Sequence, residues 1–481
     1  MTLSESVVST HLAKVWGSNI VPSLSEYIAI PALSKNFDAE WRRSGFIDQA
    51  VAHLTGWAQS RSIANMTVDV VEIDGLTPVI LITVDAFGDG PQGETVLLYG
   101  HLDKQPEMTG WRDGLGPWIP VREGDKLYGR GGADDGYAIY AALSAIEACQ
   151  LADGTHSRLV VVIEASEESG SPDLPPYIEH YADVIGSPTL VVCLDSGCES
   201  FDRLWTTTSL RGLVAVTVTV KVVTMGIHSG SASGPVPSSM RIMRQLLDRV
   251  EDAQSGRVLL PSFHCEVPAH RVSEIAAQAD ATHSAVQSWF PFDGITEPTT
   301  HDGAQAITKM TWEPTLSYIG ADGLPTTAAG GNVLRPSTSL RLSFRLPPTV
   351  DADMAAAELV EVLTSNPPYG ATIIVDHVEG ANGWNAATPE QWLVDASNAA
   401  GMAYFGAEPR SLGEGGSIPF MHMLGKKFPA AQFFVVGVVG PDVGAHGPDE
   451  YLHLPMAEKI SCCVASILDA HGRFYAAPGI A

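Results

Sequence analysis

Cysteine is scarce in this chain and basic residues are heavily outnumbered. Only 6 cysteines occur in 481 residues, and no two form a C-x-x-C pair. That scatter argues against a disulfide framework or a thiolate metal site and fits a reducing compartment. Most sit in apolar runs such as Val-Val-Cys193-Leu and read as small buried hydrophobes. The 28 Lys and Arg stand against 55 Asp and Glu, a formal net charge of −27. Such a surface repels nucleic acid and anionic membranes, so neither is an expected partner, and an anionic small substrate needs a local positive site. No apolar run approaches the ~20 residues of a membrane helix. The opening Met-Thr-Leu-Ser-Glu-Ser lacks a basic segment followed by an apolar core, so no signal peptide is expected and the cytoplasm is the expected location. No Gly-x-Ser-x-Gly elbow is present and no cysteine stands beside a plausible histidine, which argues against serine and thiol hydrolases.

What the chain does have is a globular composition, with 45% hydrophobic and 17% charged residues, and a length that exceeds one ordinary core, so two domains are expected. Helical periodicity predicts helices over 6–16 and 46–59. Strands are predicted over 68–73, 79–85, 94–100, 158–165 and 189–195, with an alanine-rich helix over 136–150. Continuous apolar strands alternating with helices favour a mostly parallel sheet flanked by helices, an α/β class. From about Leu210 the pattern changes. A half-exposed strand over 213–223, a helix over 238–253, a strand over 339–346, a helix over 352–364 and a strand over 371–378 predict an inserted α+β domain with an antiparallel sheet. The stretch 256–338 is rich in Pro, Thr and Gly and reads as a lid-like elaboration or long loops. The α/β pattern then resumes with a helix over 391–400, a strand over 432–438 and a helix over 456–475. The expected organisation is a catalytic domain in two pieces, 1–207 and 382–481, interrupted by a lid or dimerisation domain, 208–381.

Acidic and imidazole groups gather at strand ends, where an open α/β sheet binds its ligands. Gly100-His101-Leu102-Asp103 follows the strand 94–100; His101 could bind a metal and Asp103 could hold it, although a lone strand-end histidine is more often structural. Asp134 and Asp135 follow a glycine-rich turn and open a helix, where they could be caps or, for one of them, a carboxylate bridging two cations. Glu167 and Glu168 follow a strongly apolar strand; neighbouring carboxylates there gain from a positive charge, or they form a solvated turn. Asp195 follows a fourth apolar strand, and His446 follows the strand 432–438. Taken jointly, these positions can supply one bridging aspartate, one histidine per metal and one further carboxylate per metal. Nitrogen and oxygen donors without thiolate suit Zn²⁺, with Mn²⁺ or Co²⁺ as alternatives. Two cations ~3.5–4 Å apart can activate a water and polarise a carbonyl, and the spare carboxylate of the Glu pair can move the water's proton.

The strings Leu-Tyr-Gly-His101-Leu-Asp103-Lys-Gln-Pro, Leu-Tyr-Gly-Arg-Gly-Gly-Ala-Asp134-Asp135, Glu-Ala-Ser-Glu167-Glu168-Ser-Gly, Gly226-Ile-His228-Ser-Gly, Pro314-Thr-Leu-Ser, Phe344-Arg345-Leu-Pro, Glu414-Gly-Gly-Ser417-Ile-Pro and Gly-Ala-His446 together resemble the di-zinc metallopeptidase superfamily. The resemblance spans about 90–455 and is most specific for the branch of carnosinase and cytosolic nonspecific dipeptidase; succinyl-diaminopimelate desuccinylase and glutamate carboxypeptidase are more distant members. It implies that His101 and Asp195 bind one metal, Glu168 and His446 the other, and that Asp134 bridges. It implies two divalent ions per subunit, Glu167 as general base and then acid, and Asp103 as the residue orienting His101. His228 would steady the oxyanion, in relatives from across a homodimer. Arg345, Ser417 and the Gly415-Gly416 loop would hold the substrate's terminal carboxylate. The function implied is hydrolysis of dipeptides or short peptides beside a free C-terminal carboxylate. The alternatives are an N-acyl amino acid deacylase or desuccinylase, which would take N-acyl amino acids as substrates, and, from another class, a non-catalytic binding protein on the same fold. The chain departs from the branch at Lys104, where valine is frequent, at Gly136-Tyr137, where Lys-Gly is frequent, and after His446. These departures leave the metal set intact and bear on substrate preference.

Overall fold

A computed structural model describes residues 3–282 and 284–477. The chain divides into two compact units: Met1–Thr208 with Ala386–Leu412 and Met423–Ala481, and Ser209–Asn385 with Gly413–His422.

The first unit is built on a six-stranded sheet in the order Met66–Val71, Val79–Val84, Arg158–Glu164, Thr95–His101, Pro188–Cys193, Gln432–Val435. The first two pairings are antiparallel and the other three parallel. The predicted α/β sheet is therefore present with an antiparallel hairpin at one edge. The apolar runs explain the layout: every residue of Thr95–His101 is buried, and Arg158–Glu164 is buried beyond its first residue, so both faces of these strands are covered. Met66–Val71, at the edge, is half exposed. The helix Tyr137–Leu151 carries small residues on nearly every face and is buried almost throughout. It packs with Leu454–Ala476 and Glu5–Val15. No helix among the described residues is long and apolar enough to cross a membrane, and five of the six cysteines are buried.

The second unit holds a four-stranded antiparallel sheet, Thr315–Asp322, Ser337–Leu346, Gly212–Lys221, Thr372–Ala381. Ser337–Leu346 alternates strictly between buried and half-buried residues. Its buried side meets Ser239–Leu247 and Ala352–Thr364 around Val216, Val218, Leu246, Leu342, Phe344 and Leu359. Two expectations change here. The helix predicted to run to residue 253 stops at Leu247. The stretch 256–338 is not simply loops. It forms the helices Ala269–Thr282 and Gly303–Thr311, which pack around Ile275, Ile307 and Trp312, and the edge strand Thr315–Asp322.

Candidate metal centre

The site begins at the ends of the parallel strands of the first unit. His101 is the last residue of its strand, and Gly100 before it is obligatory by packing: a Cβ there would lie 2.4 Å from Ala138 Cβ and 2.7 Å from Asp135 Oδ2. The buried Asp135 carboxylate uses that space to accept from His101 N at 3.1 Å. Burial, then the nearby charge of Asp195, pushes the Asp135 carboxyl well above its ordinary range.

Two groups of side chains converge. His101, Asp134 and Asp195 form one, and Asp134, Glu168 and His446 the other; within each, donor atoms lie within 4.8 Å of one another. Asp134 belongs to both. Its Oδ1 is 3.2 Å from His101 Nε2 and its Oδ2 is 2.9 Å from His446 Nε2. Asp195 Oδ1 lies 3.9 Å from His101 Nε2, and Glu168 Oε2 lies 3.4 Å from His446 Nε2. Glu167 is in neither group but brings Oε2 to 4.0 Å from His101 Nε2. The His101 side chain is fully buried, whereas His446 is exposed.

The electrostatics are those of crowded carboxylates. Burial, then Asp195, drives the Glu167 carboxyl well above its usual range, and burial with Asp134 does the same to Glu168. Asp134 goes the other way: burial opposes its charge, but hydrogen bonds from His101 and His446 hold it below the ordinary value. The bond to Asp134 raises His446 to about 9. Burial opposes charge on His101 too, yet Asp103 and Asp134 hold it well above the ordinary imidazole value. Such a surplus of carboxylate around two imidazoles suits divalent cations, and the donors are all nitrogen and oxygen.

The surrounding residues fix these groups in place. Asp103 is fully buried; its two oxygens accept from Glu167 N and Glu168 N, each at 3.1 Å. His101 Nδ1 lies nearer the Asp103 carbonyl, 3.1 Å, than its carboxylate, 3.5 Å. Gln105 Nε2 donates to Glu168 at 2.7 Å. Several partners escaped the reading of the sequence. Glu164 is buried and accepts from Tyr99, Ser166 and Ser171; burial, then Asp103, raises it to about 7. Arg130 pairs with buried Glu450 and donates to Gly447 O at 2.7 Å, tying the His446 loop to the turn that leads into Asp134. Tyr137 donates its hydroxyl to the Leu194 carbonyl, one residue before Asp195. The glycine-flanked Arg130 was the one available signal, since a charge there demands a partner.

The remaining predicted residues lie in the second unit. Arg345 Nη1 donates to Ser417 Oγ at 3.1 Å, and Gly416 is exposed beside it in sequence. His228 is exposed at the end of the short strand Ile227–His228, where its Nδ1 accepts from Gly230 N at 3.1 Å. Neither donor group contains any of these residues.

A sheet with imidazoles and carboxylates at its strand ends, one aspartate shared between two donor groups, defines a metal-dependent hydrolase. The chain belongs to peptidase family M20/M25/M40, which it matches over residues 97–470. It is thus an enzyme of the metallopeptidase class. Among relatives, it is 28% identical over 402 residues to a cysteinylglycine-S-conjugate dipeptidase of Corynebacterium striatum, covering 80% of this chain and 82% of that one. It is 25% identical over 449 residues to the Beta-Ala-His dipeptidase of Homo sapiens, covering 90% and 86%. The solved dipeptidase Dug1p of Saccharomyces cerevisiae shares the fold with a TM-score of 0.76 at 20% identity, covering 99% of this chain and 100% of that chain.

Proposed function

We propose that the enzyme hydrolyses the amide bond of dipeptides or short peptides next to a free C-terminal carboxylate, and that it holds two divalent cations per subunit, Zn²⁺ first, with Mn²⁺ or Co²⁺ as alternatives. The observation that carries this reading is Asp134, one carboxylate with an oxygen in each of two donor groups. His101 and Asp195 would hold one cation, Glu168 and His446 the other, with Asp134 common to both. Bound cations of this kind polarise a carbonyl and lower the pKa of an attacking water. Glu167 is the base: its backbone is pinned by Asp103, its carboxyl stands outside both donor groups, and burial, then Asp195, holds that carboxyl well above the ordinary carboxylate range, which favours taking up a proton. It takes the water's proton and passes it to the departing amine. Asp103 positions both the glutamate turn and His101. Arg345, with Ser417 and Gly416, binds the terminal carboxylate through the planar fork of the guanidinium, and His228 donates to the developing oxyanion in a homodimer. The dipeptide substrates named for the relatives support the substrate class. The reading includes work in the cytosol, which the scattered, mostly buried cysteines suit.

The test is metal analysis of the purified protein, then chelation and add-back assayed on dipeptides and N-acyl amino acids, with Glu167→Ala in parallel. Dipeptide turnover should vanish on chelation and return with metal. The variant should keep its metal while losing about two to four orders of magnitude in kcat. Turnover that survives chelation, or a variant as active as the parent, discards the mechanism.

A further inference from the structure

Arg345 has a second arginine beside it that the mechanism does not use. Arg211 immediately precedes the strand Gly212–Lys221, and in the register of the sheet Arg345 lies opposite Leu213 and Thr315. Arg211 Nη1 donates to Thr315 Oγ1 at 3.2 Å and Nε to Gly415 O at 3.0 Å. Its backbone N donates to Gly416 O at 3.0 Å, and its backbone carbonyl accepts from Ser417 Oγ at 2.5 Å. Ser417 in turn accepts from Arg345. Two guanidiniums therefore converge on one glycine-rich loop.

Among the described residues, no carboxylate pairs with either or acts on its charge. In a chain with 55 acidic residues, two adjacent partly buried cations without a counter-ion are unusual, because each disfavours the other. Burial, then the charge of Arg345, lowers Arg211 to about 10. A purely structural account is incomplete: the clamp on the loop is made mostly by the backbone of Arg211, which any residue supplies. Beyond its bonds to Thr315 Oγ1 and Gly415 O, the arginine side chain adds a fork with Nη2 still to be used, 3.1 Å from where a Cβ on Gly415 would stand.

We propose that Arg211 is a second carboxylate-binding residue beside Arg345, so that the preferred substrates carry aspartate or glutamate at their carboxylate end. This rests on the dipeptidase reading above. One guanidinium takes the terminal carboxylate and the other the side-chain carboxylate, and the two anions neutralise the pair.

The experiment compares kcat/KM for L-Ala-L-Glu and L-Ala-L-Gln in the metal-loaded enzyme and in Arg211→Gln and Arg211→Lys. The parent should favour the glutamate peptide by about tenfold or more, as expected for a charge-assisted pair. The ratio should fall to near 1 in Arg211→Gln and recover partly in Arg211→Lys. A merely structural arginine would lower both substrates together and keep the ratio. A parent ratio near 1, or a ratio that survives Arg211→Gln, overturns the proposal. Calorimetric titration of the unmutated protein with L-glutamate and L-glutamine separates the two levels. If no dipeptide is cleaved, the parent reading fails, while tighter binding of glutamate still upholds the arginine pair and equal binding rejects it.

Discussion

Tyr137→Phe isolates what holds Asp195 in place. The ring is fully buried at the first turn of the helix Tyr137–Leu151, and its hydroxyl donates to the Leu194 carbonyl, itself buried. Burial pushes the phenol well above its ordinary pKa, so it is a neutral donor at any working pH. Phenylalanine keeps the packing and the charge and removes one hydrogen bond, leaving a buried carbonyl without its donor. That costs ~1–3 kcal/mol, and urea unfolding of chelated protein should show a loss in this range. The loosened carbonyl sits one residue from Asp195, so metal affinity should also fall, by about 10–100-fold as for other residues that orient a ligand. Tyr140→Phe is the control. Tyr140 is also buried, three residues along the same helix, but its hydroxyl shares a hydrogen bond with Ser23 Oγ at 2.9 Å, away from the donor groups. It should cost similar stability and leave metal binding alone. Unchanged metal affinity in Tyr137→Phe, or an equal drop in Tyr140→Phe, refutes the reasoning.

Gly136→Ala should be poorly tolerated, because its Cβ would lie 2.1 Å from Tyr27 Cε1 and 2.5 Å from the Gly131 carbonyl; a loss of ~1–3 kcal/mol or more by urea unfolding is expected, and a loss below ~0.5 kcal/mol counts against the packing argument. His471 is buried, with Nδ1 near Ser157 Oγ and Nε2 near Thr189 Oγ1, and burial lowers it to about 3. Unfolded histidine takes a proton near pH ~6.5, so below that pH the unfolded state gains a proton that the folded state refuses. Stability should fall by ~1.4 kcal/mol per pH unit from this residue as pH drops from ~6.5 toward 3. His471→Gln should flatten the acid limb by that amount, and parallel curves for parent and variant would be inconsistent with a buried neutral imidazole.

The buried strands were legible because their apolar runs are continuous: Arg158–Glu164 and Thr95–His101 could only be covered on both faces. Most of the candidate site residues were legible for a related reason. His101, Glu167, Glu168, Asp195 and His446 each follow such a run, and the chemistry of open α/β sheets collects at those ends. The stretch 256–338 was not legible, because its order is set by few buried side chains. Ala269–Thr282 buries Arg271, Ile275 and Gln278 alone, and most of Thr315–Asp322 is exposed, so neither leaves an apolar period. The supporting polar partners were also out of reach. Arg130 and Glu450 are separated by 320 positions, and no local pattern announces a pairing made only in the folded core.

That separation has a consequence for biogenesis. His101, Asp134 and Asp195 are all present in the first two hundred residues, so one donor group can assemble while the ribosome is still working. The other waits for His446, and the strand Pro188–Cys193 waits for Gln432–Val435 to pair along its outer side. A nascent or truncated chain lacking those last segments exposes a row of unsatisfied backbone groups on an apolar strand and holds only one of the two donor groups complete.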